Sequence, residues 1–246
     1  MGRTIDIRTD DGTAEAYLTG EGPGVLFFID AIGLRPRIEE MADRIAGWGF
    51  TVLAPNIHFR HGTAAELRPT TDLTDPENRK AFGEVTAPRV SGYTTEQSDA
   101  DTRHWVEELR GHAAPGPIGV TGYCMGARLA VRAAALFPDD VVAVGGFHGA
   151  KLVDDTAESA HLLLPRCRAE FVFGHADHDQ LNDAEAIAEL ERALDDAGLR
   201  AVSEVYPDAP HGYSMSDTSS YQEEGAERMF EALELLLDRT LRGARP

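Results

Sequence analysis

The chain has 246 residues, 42% of them apolar, with 42 acidic against 23 basic side chains and a net charge of −19. That content builds a sizeable α/β core, and the acidic balance argues against a nucleic-acid surface, which needs clustered lysine and arginine, and against an anionic membrane face. No apolar run reaches the roughly 18 residues of a membrane span, and the polar start from Met1 to Asp11 is not a signal peptide, so a cytoplasmic location is expected.

Ile5 and Ile7 alternate with polar neighbours, Asp10-Asp11-Gly12 supplies a turn, and Ala14, Ala16 and Leu18 resume the alternation, which predicts a hairpin. The uninterrupted apolar run from Val25 to Ile29 suits a central strand covered on both sides. Ile38, Met41, Ala42, Ile45 and Trp48 fall at helical spacing before Gly49, and Thr51 to Ala54 reads as the next strand. Residues 56–94 lack a period and read as an excursion over the sheet edge, with a short helix near Pro76–Phe82. A polar helix is expected from Glu96 to His112, a strand from Pro117 to Thr121 and an Ala-rich buried helix from Met125 to Phe137. Strands Val141–Phe147, Glu170–Phe173 and Ala201–Tyr206 follow, with helices Ala184–Ala197 and Tyr221–Leu241. Strands alternating with helices at this spacing predict an α/β fold with a doubly wound, mostly parallel sheet and helices on both faces. No repeat, low-complexity tract or long linker divides the chain, so residues 1–246 read as one domain.

Ligands of open parallel sheets bind beyond the carboxyl ends of the strands, so the residues after each strand matter most. After Ile118–Thr121 comes Gly122-Tyr123-Cys124-Met125-Gly126 and then a helix, the pattern of a nucleophile elbow with cysteine in place of serine. Small flanking residues let the backbone turn sharply, and the helix N-terminus beneath the thiol favours a thiolate. Later in the chain, Phe173-Gly174-His175-Ala176-Asp177-His178-Asp179 follows a strand, and Ala209-Pro210-His211-Gly212-Tyr213 precedes the last helix. In that order His211 would take the thiol proton, and Asp177 would hold the imidazole in the right tautomer.

The cysteine elbow, the Phe-Gly-x-x-Asp turn and the Pro-His-Gly-Tyr loop together resemble the dienelactone hydrolase (carboxymethylenebutenolidase) family, over nearly the whole chain from Val25 onward. The resemblance implies an α/β-hydrolase fold, a Cys124–His211–Asp177 triad, a small-molecule ester or lactone as partner, and no cofactor. The turn Asp30-Ala31-Ile32-Gly33 stands where the family has a glutamate that frees the thiolate, with Asp30 one methylene shorter; a strand-end capping role is the other reading of Asp30. The N–H groups of Ala31 and Met125 would form the oxyanion hole. No arginine follows His211 within Gly212–Ser216, which leaves Arg60 or Arg79 of the excursion as substrate contacts. An uncharged lactone or ester is therefore the expected substrate. His148 is a further candidate for the pocket wall, or else a hydrogen-bonded structural residue.

Two other readings compete. His175, Asp177, His178, Asp179 and the pair His58 and His61 could hold a hydrolytic metal, and Cys124 could be a redox-sensing thiol on an inactive scaffold. The first needs Asp177 twice, and the second leaves His211 and Asp177 without a purpose. Cys167 reads as a small core residue. A monomer or small homo-oligomer is expected.

Overall fold

A computed structural model describes residues 2–243. Strands β1 (Arg3–Thr9), β2 (Gly12–Thr19), β3 (Gly24–Phe28), β4 (Thr51–Pro55), β5 (Ile118–Tyr123), β6 (Val141–Phe147), β7 (Glu170–His175) and β8 (Ala201–Val205) form one eight-stranded sheet in the order β1-β2-β4-β3-β5-β6-β7-β8. β1 and β2 pair antiparallel, as does β2 with β4, and every later pair is parallel. The helices are α1 (Pro36–Gly47), α2 (Ala64–Leu67), α3 (Pro76–Gly92), α4 (Thr95–His112), α5 (Met125–Leu136), α6 (Ala184–Asp196) and α7 (Glu223–Leu241).

Successive strand residues point to opposite faces, and the glycines of β6 show what covers each. Gly145 faces Leu233 of α7, whereas Gly146 faces Ala127 of α5. α1 joins α7 on its face through Arg44–Glu227, and α4 joins α5 through Arg132–Asp99 at 3.0 Å. Both faces of β3 and β5 are therefore covered, which is why these two strands are apolar or small at every position and buried throughout. β3 continues to β4 on one side and is flanked by β5 on the other, so the strand order reverses at the carboxyl ends of β3 and β5. A crevice opens at such a reversal.

The excursion departs most from its expected form. In place of a short helix, α3 runs for 17 residues. Asp75 caps it by accepting N–H bonds from Glu77 and Asn78, and Pro76 occupies the first turn, where no N–H is needed. Only Thr86 is fully buried, so α3 carries no apolar stripe for a periodicity search to find.

Candidate active site

Cys124 lies between β5 and α5 with φ 54° and ψ −119°, a strained conformation for a residue with a side chain. The turn closes so tightly that a Cβ on Gly122 would stand 2.0 Å from the Gly126 carbonyl oxygen, and one on Gly126 2.4 Å from that of Phe28. Both glycines are steric requirements. The Cys124 N–H donates to the Phe147 carbonyl at 3.1 Å and to His148 Nδ1 at 3.2 Å, and its carbonyl accepts from Ala127 and Ala150. His148 is fully buried, and burial together with the neighbouring His211 holds its pKa well below the ordinary value. Neutral, with Nδ1 accepting, it donates from Nε2 to the Ser214 hydroxyl at 2.8 Å. It braces the elbow and also lines the cavity over Cys124.

The acid beside the imidazole is Asp179, not Asp177. His211 Nδ1 stands 2.6 Å from Asp179 Oδ2; the Asp179 side chain is buried and that of His211 half-buried. Asp177 instead accepts the N–H of Asp208 at 3.0 Å, while its own N–H donates to the Ala209 carbonyl. The cause is strand length. β7 runs two residues beyond the expected end at Phe173, pairing as far as His175 with Val205, so the turn that delivers the acid comes two residues later. His211 Nε2 is buried without a hydrogen-bond partner among the described residues. Burial lowers the His211 pKa, but the neighbouring Cys124 and the bond to Asp179 outweigh it and push the value up to about 10.

The other candidates divide. Asp30 accepts both guanidinium nitrogens of Arg35, at 2.7 and 3.0 Å, as well as the N–H groups of Ile32 and Gly33, which makes it the anchor of its own turn rather than a free partner for the thiol. Arg60 is a misplaced candidate: it pairs with Asp11 and Asp101 against the β1–β2 hairpin and does not line the cavity. Arg79 does line it, donating to the His211 carbonyl at 3.2 Å. Neither the Ala31 nor the Met125 N–H donates a hydrogen bond among the described residues, and both residues face the same cavity. The supposed metal cluster disperses: His175 turns to Ser203 and Asn182, Asp179 to His211, and His178 to solvent. Among the described residues no three His, Cys, Asp or Glu side chains converge as a metal site. Cys167 is buried in the core, and burial raises its thiol pKa to about 12.

The family model described as "Dienelactone hydrolase family" matches residues 13–241. The chain belongs to the dienelactone hydrolase family. Among its relatives, a Yersinia pestis protein named "putative carboxymethylenebutenolidase" is 27% identical over 217 residues, spanning 85% of this chain and 75% of that one. A protein of the same name from Methylorubrum extorquens is 25% identical over 236 residues, spanning 91% and 76%. A Klebsiella pneumoniae crystal structure described as a "putative dienelactone hydrolase" superposes with a TM-score of 0.80 at 22% identity, covering 97% of this chain and 98% of that one, and shares its α/β-hydrolase fold. No described helix is long and apolar enough to cross a membrane.

In this member of the family, Cys124 and His211 open into a cavity of about 850 Å³. α3 roofs it with Phe82, Thr86 and Val90, and is tied down through Arg79 and through Arg89, whose Nη2 donates to the Ile32 carbonyl at 2.9 Å. The surroundings are more cationic than the absence of an arginine after His211 suggested, because Arg79, Lys80, Arg128 and Lys151 all line the cavity. Met215, expected to leave an apolar patch, is buried with its sulfur 3.4 Å from Arg35. Sequence reasoning missed Arg35, Arg128, Lys151 and the length of α3. A signal existed for Arg128 alone, as a cation in the first turn of the helix after the elbow.

Proposed function

We propose that this protein hydrolyses a carboxylic ester or lactone through a cysteine acyl-enzyme. The observation that carries the reading is Cys124 on its strained elbow, facing a half-buried His211 that Asp179 holds at 2.6 Å, inside a cavity large enough for a small organic substrate. The thiol proton passes to His211, whose raised proton affinity beside Cys124 and Asp179 stabilises the imidazolium, and the sulfur attacks the carbonyl carbon. The tetrahedral oxyanion is received by the N–H groups of Ala31 and Met125, which spend no hydrogen bond elsewhere among the described residues. When the carbon–oxygen bond breaks, the imidazolium returns its proton to the leaving alkoxide, which in a lactone stays tethered to the acyl group. Water, deprotonated by His211, then releases the acid and restores the thiol. Asp179 keeps Nδ1 protonated so that Nε2 faces the sulfur. The names of the carboxymethylenebutenolidase relatives agree with a lactone substrate.

The test is a panel of lactones, p-nitrophenyl esters and thioesters assayed with wild type and Cys124→Ala, with intact-mass spectrometry of quenched reactions. Turnover lost in the variant, together with an acyl adduct on Cys124 in wild type, is expected. Undiminished hydrolysis by Cys124→Ala would rule the covalent route out.

A further inference from the structure

The turn that carries the Ala31 N–H is gripped from the roof. Arg89 Nη2, on α3, donates to the Ile32 carbonyl at 2.9 Å and to the Ala31 carbonyl at 3.4 Å. On the opposite edge of the same two peptide units, the N–H groups of Ile32 and Gly33 donate to Asp30 Oδ1 at 3.1 and 3.3 Å. A peptide unit is planar, so one bond at its carbonyl and another at its N–H fix it as a plate. Upstream, the chain leaving β3 is pressed against α5, where a Cβ on Gly126 would stand 2.7 Å from the Ile29 carbonyl oxygen. The Ala31 N–H is thereby held between a packed strand end and two pinned peptide units. Arg89 has no other visible task. It is half-buried and does not line the cavity. Burial lowers its pKa by more than the charge of Asp30 raises it, and Asp30 is spent on Arg35. Its Nε is buried without a hydrogen-bond partner among the described residues. The neighbouring His58 offers no counter-charge: its ring is buried, neither nitrogen is bonded among the described residues, and burial with Arg89 and His61 pushes its pKa down to about 3. A partly desolvated guanidinium without a carboxylate is costly, and among the described residues its only hydrogen bonds go to these two carbonyls.

We infer that Arg89 is a positioning residue for the oxyanion hole, clamping the turn against Asp30 so that the Ala31 N–H stays aimed at the oxygen under attack. The inference rests on the acyl-enzyme reading, with Ala31 as one half of the hole, and adds the roof helix to the machinery of the reaction. Because α3 buries a single residue, the alignment of the hole depends on a helix that the core barely holds.

Arg89→Met should lower kcat for 4-nitrophenyl butyrate about tenfold or more and change KM by less than about twofold, since Arg89 acts on the transition state and not on substrate binding. Arg89→Lys, which keeps a donor for one carbonyl, should recover part of the loss. A pair of ligands isolates the hole without turnover: butyraldehyde and butyramide. The Cys124 sulfur adds to the aldehyde carbon, the C=O becomes a C–O single bond, and the thiol proton passes through His211 to that oxygen, which rests against the Ala31 and Met125 N–H groups. Butyramide fills the same space without adding. Each should slow alkylation of Cys124 by iodoacetamide, and the ratio of their protection constants, butyramide over butyraldehyde, should fall about tenfold in Arg89→Met. Both constants come from one preparation, so a smaller folded fraction does not move the ratio. Arg103→Met removes an exposed arginine from α4 and should leave it unchanged. An unmoved ratio in Arg89→Met, with both ligands weakened equally or not at all, or an equal fall in Arg103→Met, overturns the positioning role. A fall confined to Arg89→Met, in a protein that hydrolyses no ester, would uphold the positioning and sink the hydrolytic reading. Butyraldehyde protecting wild type no better than butyramide would sink the hole and the positioning with it.

Discussion

At the scale of single residues, Asp177 and Asp179 sit two positions apart on one loop and perform different tasks. Asp179 holds the imidazole of His211, while Asp177 pins the turn after β8 through the N–H of Asp208. Asp179→Asn should lower kcat by about a thousandfold or more, because the amide favours the wrong imidazole tautomer. Asp177→Asn keeps an acceptor for the Asp208 N–H and should leave steady-state kinetics nearly unchanged. Arg35 is a second case. It is almost completely buried and joins the turn carrying Ala31, through Asp30, to the loop carrying His211, through Asp217 at 2.6 Å. Arg35→Met strips a buried carboxylate of its partner and should cost about 3–5 kcal/mol in a urea titration. Arg35→Lys should rescue little of it, since one ammonium cannot bond the two oxygens of Asp30 side by side.

At the scale of elements, the elbow and the roof contrast. The elbow is rigid because Gly122 and Gly126 leave no room for another atom; Gly126→Ala, forcing a Cβ against the Phe28 carbonyl, should cost about 2 kcal/mol or more in the same titration. The roof is the opposite. α3 buries one residue, exposes Val85, has Pro88 in its interior with no N–H to donate, and is fastened to the body near the site by Arg79 and Arg89. Few buried apolar contacts mean a low local opening free energy. Amides of α3 should exchange with deuterium well before those of α5, and a limiting protease should cut first between residues 76 and 92. Slow exchange in α3, at the rate of α5, would show that the roof is part of the rigid core.

At the scale of the whole molecule, the site exists because the sheet reverses its strand order between β3 and β5, bringing the Asp30–Gly33 turn beside Cys124 while β7 and the loop after β8 supply Asp179 and His211. This arrangement links folding to pH. The imidazole of His211 binds its proton more tightly in the folded chain, up to about 10 against an ordinary 6.5. Its contribution to stability is therefore complete below 6.5 and disappears as pH climbs through about 10. Urea titrations of wild type and Asp179→Asn should differ most below about pH 6.5, with the difference narrowing toward about pH 10. A difference that grows with pH would reverse the assigned protonation.

The sequence by itself determined the alternation of strands and helices, the central position of the Val25–Ile29 run, the elbow around Cys124 and the loop of His211, because each rests on local rules: side-chain period, glycine where a Cβ has no room, a loop before the last helix. These were legible residue by residue. Which aspartate meets His211 was decided only by tertiary pairing, since β7 gains two residues from its ladder with β8 and so shifts the acid from Asp177 to Asp179. α3 stayed hidden because a helix that packs one residue into the core has no period to display. The cationic wall was equally invisible, for Lys80, Arg128 and Lys151 lie far apart along the chain and meet around one cavity only when the sheet brings the ends of its strands together.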